Sequence, residues 1–154
     1  MVLRLELLLG SALLGIACAG RGPANLGNVT VGLSVGGSYQ THVSLVPDRN
    51  TCGAVSVQDN LTVVTQSPGT LSLTVTHAGN TYQGAIDRNA RFSTTPSKLS
   101  LGGNRYTITI NGQFSRIGLD ATVEVDVQQA RVPPQCSYFV HWVCTKDGPP
   151  NTMP

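Results

Sequence analysis

From Val29 onward, apolar residues fall at every second position of the chain. Val29, Val31, Leu33 and Val35 share one side, and Leu71, Leu73 and Val75 are interleaved with Ser72, Thr74 and Thr76. Ala121, Val123, Val125 and Val127 alternate in the same way with Thr122, Glu124, Asp126 and Gln128. A period of two is that of a strand with one face buried and one wet. No segment carries the 3.6-residue period of an amphipathic helix. Clusters of Gly, Pro, Asn and Asp separate the runs, as turns between strands require. The pattern predicts an all-β protein of about eight to ten antiparallel strands joined in sequence.

Register follows from which turns bring apolar positions together, because a one-residue slip moves every side chain to the other face. Gly79-Asn80 as a two-residue loop sets Val75 opposite Gly84 and Leu73 opposite Ile86. Gly103-Asn104 likewise sets Leu101 opposite Tyr106 and Leu99 opposite Ile108. Three-residue loops at Gly36-Gly37-Ser38 and Ser67-Pro68-Gly69 pair Leu33 with Thr41 and Val63 with Leu73. Four consecutive hairpins then share one apolar face. Such an up-and-down meander removes its free edges by closing into a small barrel, with a two-sheet sandwich as the alternative architecture. A membrane-spanning barrel fits less well. Its strands run about ten residues between aromatic girdles, whereas aromatics are 5% of this chain. No internal repeat marks a solenoid or propeller.

The start of the chain has a different character. Residues 1–19 read as an export signal: Arg4 is the n-region cation, Leu7 to Ile16 the apolar stretch, and Ala17-Cys18-Ala19 the small-residue cleavage region. The stretch is too short to span a bilayer. Leu14-Gly15-Ile16-Ala17 before Cys18 also resembles the lipobox of bacterial lipoproteins, which would make Cys18 a lipidated mature N-terminus. Residues 20–27 then form a flexible tether, 28–146 a single β domain, and 147–154 a disordered tail. The expected location is outside the cytoplasm, either membrane-anchored or periplasmic or extracellular. A formal charge of +2 with 12% charged residues excludes a strongly basic nucleic-acid binder.

Export bears on the cysteines, since an oxidising compartment favours a disulfide. With Cys18 in the leader, Cys52, Cys136 and Cys144 remain. Cys136 and Cys144 lie eight residues apart on one predicted strand, roughly 26 Å and far beyond bridging distance. Cys52 therefore pairs with one of them: Cys52–Cys136 is expected and Cys52–Cys144 is the alternative. No Cys-x-x-Cys pair suggests a zinc knuckle or a redox motif.

The densest aromatic segment is Tyr138-Phe139-Val140-His141-Trp142-Val143. By parity Tyr138, Val140 and Trp142 point inward with both cysteines, and Tyr82 and Tyr106 share that inward parity. Tyr82, Tyr106, Tyr138 and Trp142 are thus either core filling or the lining of a ligand site of the kind that small barrels enclose. His141 is expected outward and opposite Glu124, as a cross-strand ion pair. A metal would need three or four converging ligands, so neither metal nor cofactor is expected. The acids are scattered, and no nucleophile elbow, zinc-binding helix or phosphate loop is present. No catalytic residue is assigned.

Tyr82-Gln83-Gly84, Arg91-Phe92-Ser93, the run from Tyr106 to Phe114, and Cys136-Ser137-Tyr138 with Trp142 repeat a strand followed by glycine and an aromatic. From Leu61 to Lys146 the chain resembles a broad group of bacterial exported and lipoprotein β-meander domains, loosely lipocalin-like or avidin-like. The lipocalin Gly-x-Trp signature and the avidin tryptophan set are missing, so the resemblance carries over no named ligand. It implies a cell-envelope β domain. The leading expectation is a non-enzymatic protein that binds a small apolar ligand or an envelope protein. A structural envelope component without a ligand cavity is the alternative, and an enzyme ranks third. Partners would include the membrane, through a lipid on Cys18, and would not include nucleic acid.

Overall fold

The computed structural model describes residues 32–129 and 135–154. The expected leader with Cys18 and the expected tether over 20–27 lie outside the described residues. The strands are β1 Gly37–Leu45, β2 Asn60–Gln66, β3 Ser72–His77, β4 Asn80–Ile86, β5 Arg91–Thr94, β6 Ser97–Leu101, β7 Asn104–Phe114, β8 Gly118–Gln128 and β9 Cys136–Lys146. A 3-10 turn covers Pro47–Arg49. All pairings between these strands are antiparallel, and consecutive strands are neighbours except where β5 pairs directly with β7 and β9 returns to β1. Eight strands therefore close on themselves, giving the meander barrel and not the sandwich. β6 is a ninth strand, hydrogen-bonded to β7 alone.

The seam beside β6 has a local cause. Residues 91–93 pair with 111–113 of β7, while 97–101 pair with 104–108 further along the same strand. Thr94-Thr95-Pro96 is thus a bulge carrying one residue more than its partner. Proline has no N–H for the β7 ladder, and the Thr94 hydroxyl instead accepts the Ile110 N–H at 2.9 Å. The bend carries β6 away from β4. Thr95 N–H to Gln83 O, 2.8 Å, is the last backbone hydrogen bond on that seam, and Tyr82 lies just beyond it.

One end of the barrel is plugged. Tyr39, Phe92 and Phe114 stack inside it, with ring centroids 5.9 Å and 5.1 Å apart. Gly112 makes room for them, since a Cβ there would sit 2.6 Å from the Phe92 ring and 2.5 Å from Asp120 O. Residues 147–154, expected as a disordered tail, instead cross this end. Ser34 bridges Thr152, and Asn151 is 3% exposed. The Asn151 Oδ1 accepts from Lys146 Nζ at 2.6 Å and from Tyr39 Oη at 2.9 Å, while its Nδ2 donates to Ser115 O at 2.7 Å. These buried polar ends need a partner that the strand ladders do not supply, and the tail supplies it. The β domain accordingly extends beyond residue 146.

Four register expectations need correction. No hairpin turns at Gly36-Gly37-Ser38: β1 begins at Gly37 and lies between β2 and β9, with Val43 opposite Trp142. The β2–β3 connection is longer than Ser67-Pro68-Gly69, so Gln66 meets Leu73 and Val64 meets Val75. This puts Val64 inside and leaves Val63 37% exposed. The two tight turns sit one residue earlier than expected, at Ala78-Gly79 and Gly102-Gly103, where all four residues have positive φ. A type I′ turn requires that at both central positions. Each resulting shift is two residues, for example Val75 opposite Tyr82 and Leu99 opposite Tyr106, so the faces are unchanged.

Candidate functional site

The end opposite the plug is formed by the start of β9, the ends of β3 and β8, and the β6–β7 hairpin. Alternation along β4, β7 and β9 turns Tyr82, Tyr106, Tyr138 and Trp142 inward, as parity predicts. Tyr106 and Tyr138 are half-buried, whereas Tyr82 and Trp142 are 6% and 4% exposed. Half-buried Leu45, Leu99 and Ile108 complete the rim. Burial is the main cause of raised pKa values at Tyr82 and Tyr138, with a smaller contribution from the neighbouring phenol: Tyr138 beside Tyr82, and Tyr106 beside Tyr138. Tyr138 is thus the neighbour of both other phenols, and burial keeps the Tyr82 and Tyr138 hydroxyls protonated. Asn104 Nδ2 donates to Tyr106 Oη at 3.5 Å, which leaves the Tyr106 proton available.

His77 belongs to the same site, although no motif in the sequence marks it. Its ring stacks on Trp142 with centroids 4.1 Å apart, and burial lowers its pKa. The one signal for it is parity, since His77 continues the inward positions of Leu73 and Val75. Its Nδ1 lies 2.8 Å from the Thr62 hydroxyl, which lies 2.6 Å from the Thr41 hydroxyl. Thr41 Oγ1 in turn donates to Cys144 Sγ at 3.3 Å. An inner row of hydrogen bonds thus runs from the aromatic end toward the plug. Cys144 is free and buried, and burial raises its pKa, so the thiol stays protonated.

Hydrogen bonding distinguishes the aromatic cluster from ordinary core. No buried side-chain nitrogen or oxygen among the described residues lacks a hydrogen-bond partner. The Tyr82 and Tyr138 hydroxyls and the Trp142 indole N–H make no hydrogen bond to another described residue. Apart from Lys146 at the plugged end, the inward positions of the strands carry no charged side chain. Comparison with protein-family models, with curated proteins and with solved structures found no match to this chain.

The other candidates lie on the outer wall. His141 does not pair with Glu124: the β8–β9 register puts Glu124 opposite Phe139, and His141 Nε2 lies 3.0 Å from Asp120. His42 Nδ1 lies 3.1 Å from Asp59, whose carboxyl is held below the usual range, first by the Val43 N–H and then by His42. Ser44 stands directly across the ladder from His141 but donates no hydrogen bond to it among the described residues. Among the described residues no group of three or more His, Cys, Asp or Glu converges to hold a metal ion. The disulfide is Cys52–Cys136, which ties the 46–59 connection to the start of β9. It is compatible with an exported protein, and no helix among the described residues is long and apolar enough to cross a membrane.

Proposed function

We propose that this chain is a non-catalytic binding domain of the cell envelope or the exterior, and that its aromatic end takes up a small apolar molecule. The observation that carries this reading is that Tyr82, Tyr106, Tyr138 and Trp142 all turn inward, with the Tyr82, Tyr138 and Trp142 polar atoms unpaired among the described residues. A pure packing role would leave such atoms paired or replaced by apolar side chains. Apolar walls with a few convergent polar groups are the usual make-up of a small-molecule site. The signal-like residues 1–19 and the Cys52–Cys136 bridge support the location, and a lipid on Cys18 would tether the domain to a membrane.

Trp142 is the only tryptophan, so its emission reports on the site. Titration with the apolar fluorophore N-phenyl-1-naphthylamine should quench it saturably, and Ile108→Phe, which fills the rim, should weaken binding at least tenfold. Absence of saturable quenching would sink the proposal. A second reading, a protein-contacting envelope component, draws support from Leu61, Val63 and Val143, which are 37–49% exposed on the outer wall. That reading predicts no quenching by the fluorophore.

A further inference from the structure

The β6–β7 hairpin leaves one strand edge of the wall unused. β6 pairs with β7 alone, and past the hydrogen bond from Thr95 to Gln83 no ladder joins it to β4. Backbone groups alternate sides along a strand, and the tight turn at Gly102-Gly103 directs the N–H and C=O groups of Leu99 and Leu101 toward β7. Those of Lys98 and Ser100 therefore point away from β7, where they have no hydrogen-bond partner among the described residues. Apolar cover fails at the same place. On the inward face of β7, Ile110 is fully buried, whereas Ile108 and Tyr106, beside β6, are half-buried. On β6 itself Leu99 is half-buried and Leu101 is 66% exposed. One further extended strand would complete both the ladder and the cover.

Charge selects the kind of strand. β4 to β7 carry three cations, Arg91, Lys98 and Arg105, and no acidic residue. Lys98 and Arg105 are exposed on the outer face of the hairpin and form no ion pair among the described residues. Asp126 of β8 stands opposite Thr107 on the far side of β7, away from the free edge of β6. A second copy of the chain suits this edge poorly. Two-fold pairing of β6 centred on Leu99 would gather Lys98 and Arg105 of both copies on one face with no carboxylate between them. A lysine on an edge strand also turns away strands that lack a counter-charge. We propose that the free edge of β6 takes up an extended segment of a partner protein in which apolar and acidic residues alternate. Its backbone pairs with Lys98 and Ser100, its apolar side chains cover Leu99 and Leu101, and a carboxylate meets Lys98. Such strand capture does not require uptake of a small molecule.

The test uses end-capped, fluorescein-labelled peptides of about eight residues, one alternating Val with Glu and the other Val with Lys. Binding to the whole chain is read by fluorescence anisotropy. The Val-Glu peptide should bind saturably, and the Val-Lys peptide at least about fivefold more weakly. Lys98→Glu, a change at an exposed position, should reverse that order. Ser100→Pro removes an N–H from the free edge and leaves the β6–β7 ladder intact. It should weaken the Val-Glu peptide about tenfold at an unchanged melting temperature. The proposal is overturned if the Val-Glu peptide shows no saturable binding, if the two peptides bind equally, or if its affinity is the same in both variants as in the wild type. A concentration-dependent dimer in analytical ultracentrifugation that Ser100→Pro abolishes would assign the edge to a second copy and overturn it as well.

Discussion

His77 shows how one side chain couples packing to pH. Its ring is stacked on Trp142 and hydrogen-bonded to Thr62, and burial holds its pKa below the ordinary value. The folded protein therefore binds a proton at His77 less readily than the unfolded chain does. Stability from this group is complete above the unfolded pKa, about 6.5, and is lost as pH falls through the lower folded value. Thermal melts between pH 7.5 and 5 should show a melting temperature that declines on the acid side. His77→Phe should flatten that decline, and an unchanged slope would show that the proton binds elsewhere. Tyr39 lies at the other extreme: its hydroxyl, shared between Val35 O and Asn151 Oδ1, is pushed up to about 12 by burial.

At the scale of strands and turns, the sequence shows faces more clearly than pairings. Local alternation by itself makes Tyr82, Tyr106, Tyr138 and Trp142 inward residues, and the barrel places all four inside. Alternation does not say which residue of a glycine-containing pair opens a turn. At Ala78-Gly79 an alanine takes φ 47°, a conformation that is costly for alanine and tolerated by asparagine. Ala78→Asn should therefore raise stability by about 0.5–1 kcal/mol, measurable as a higher urea midpoint at unchanged slope. The bulge at Thr94-Thr95-Pro96 is equally hidden, because it matters only once β4 and β7 flank it. The disulfide spans 84 residues of chain. Cys52→Ser should cost about 4–5 kcal/mol if the entropy of that loop is the main effect, and a cost below about 1 kcal/mol would show that the closed wall already holds those ends together.

For the molecule as a whole, closure depends on segments that carry no periodic signal. Asn151 reaches into the plugged end and meets Tyr39, Lys146 and Ser115, joining the last residues of the chain to β1, β9 and the β7–β8 turn. Removing residues 148–154 should cost about 3 kcal/mol through lost buried hydrogen bonds and exposed apolar surface. Asn151→Ala should reproduce about half of that in chemical denaturation. Equal stability of the truncated chain would mean that strand pairing alone seals the end.

By itself the sequence determined the all-β class, the inward and outward faces of most strands, and the inward placement of Tyr82, Tyr106, Tyr138 and Trp142. Each of these follows from local alternation, because neighbouring side chains on a strand must point to opposite sides. Tertiary structure alone decided the pairing of β1 with β9, the departure of β6 from the wall, the stacking of His77 on Trp142 and the docking of the tail. These depend on contacts between residues far apart in the chain, whose geometry exists only once the barrel has closed.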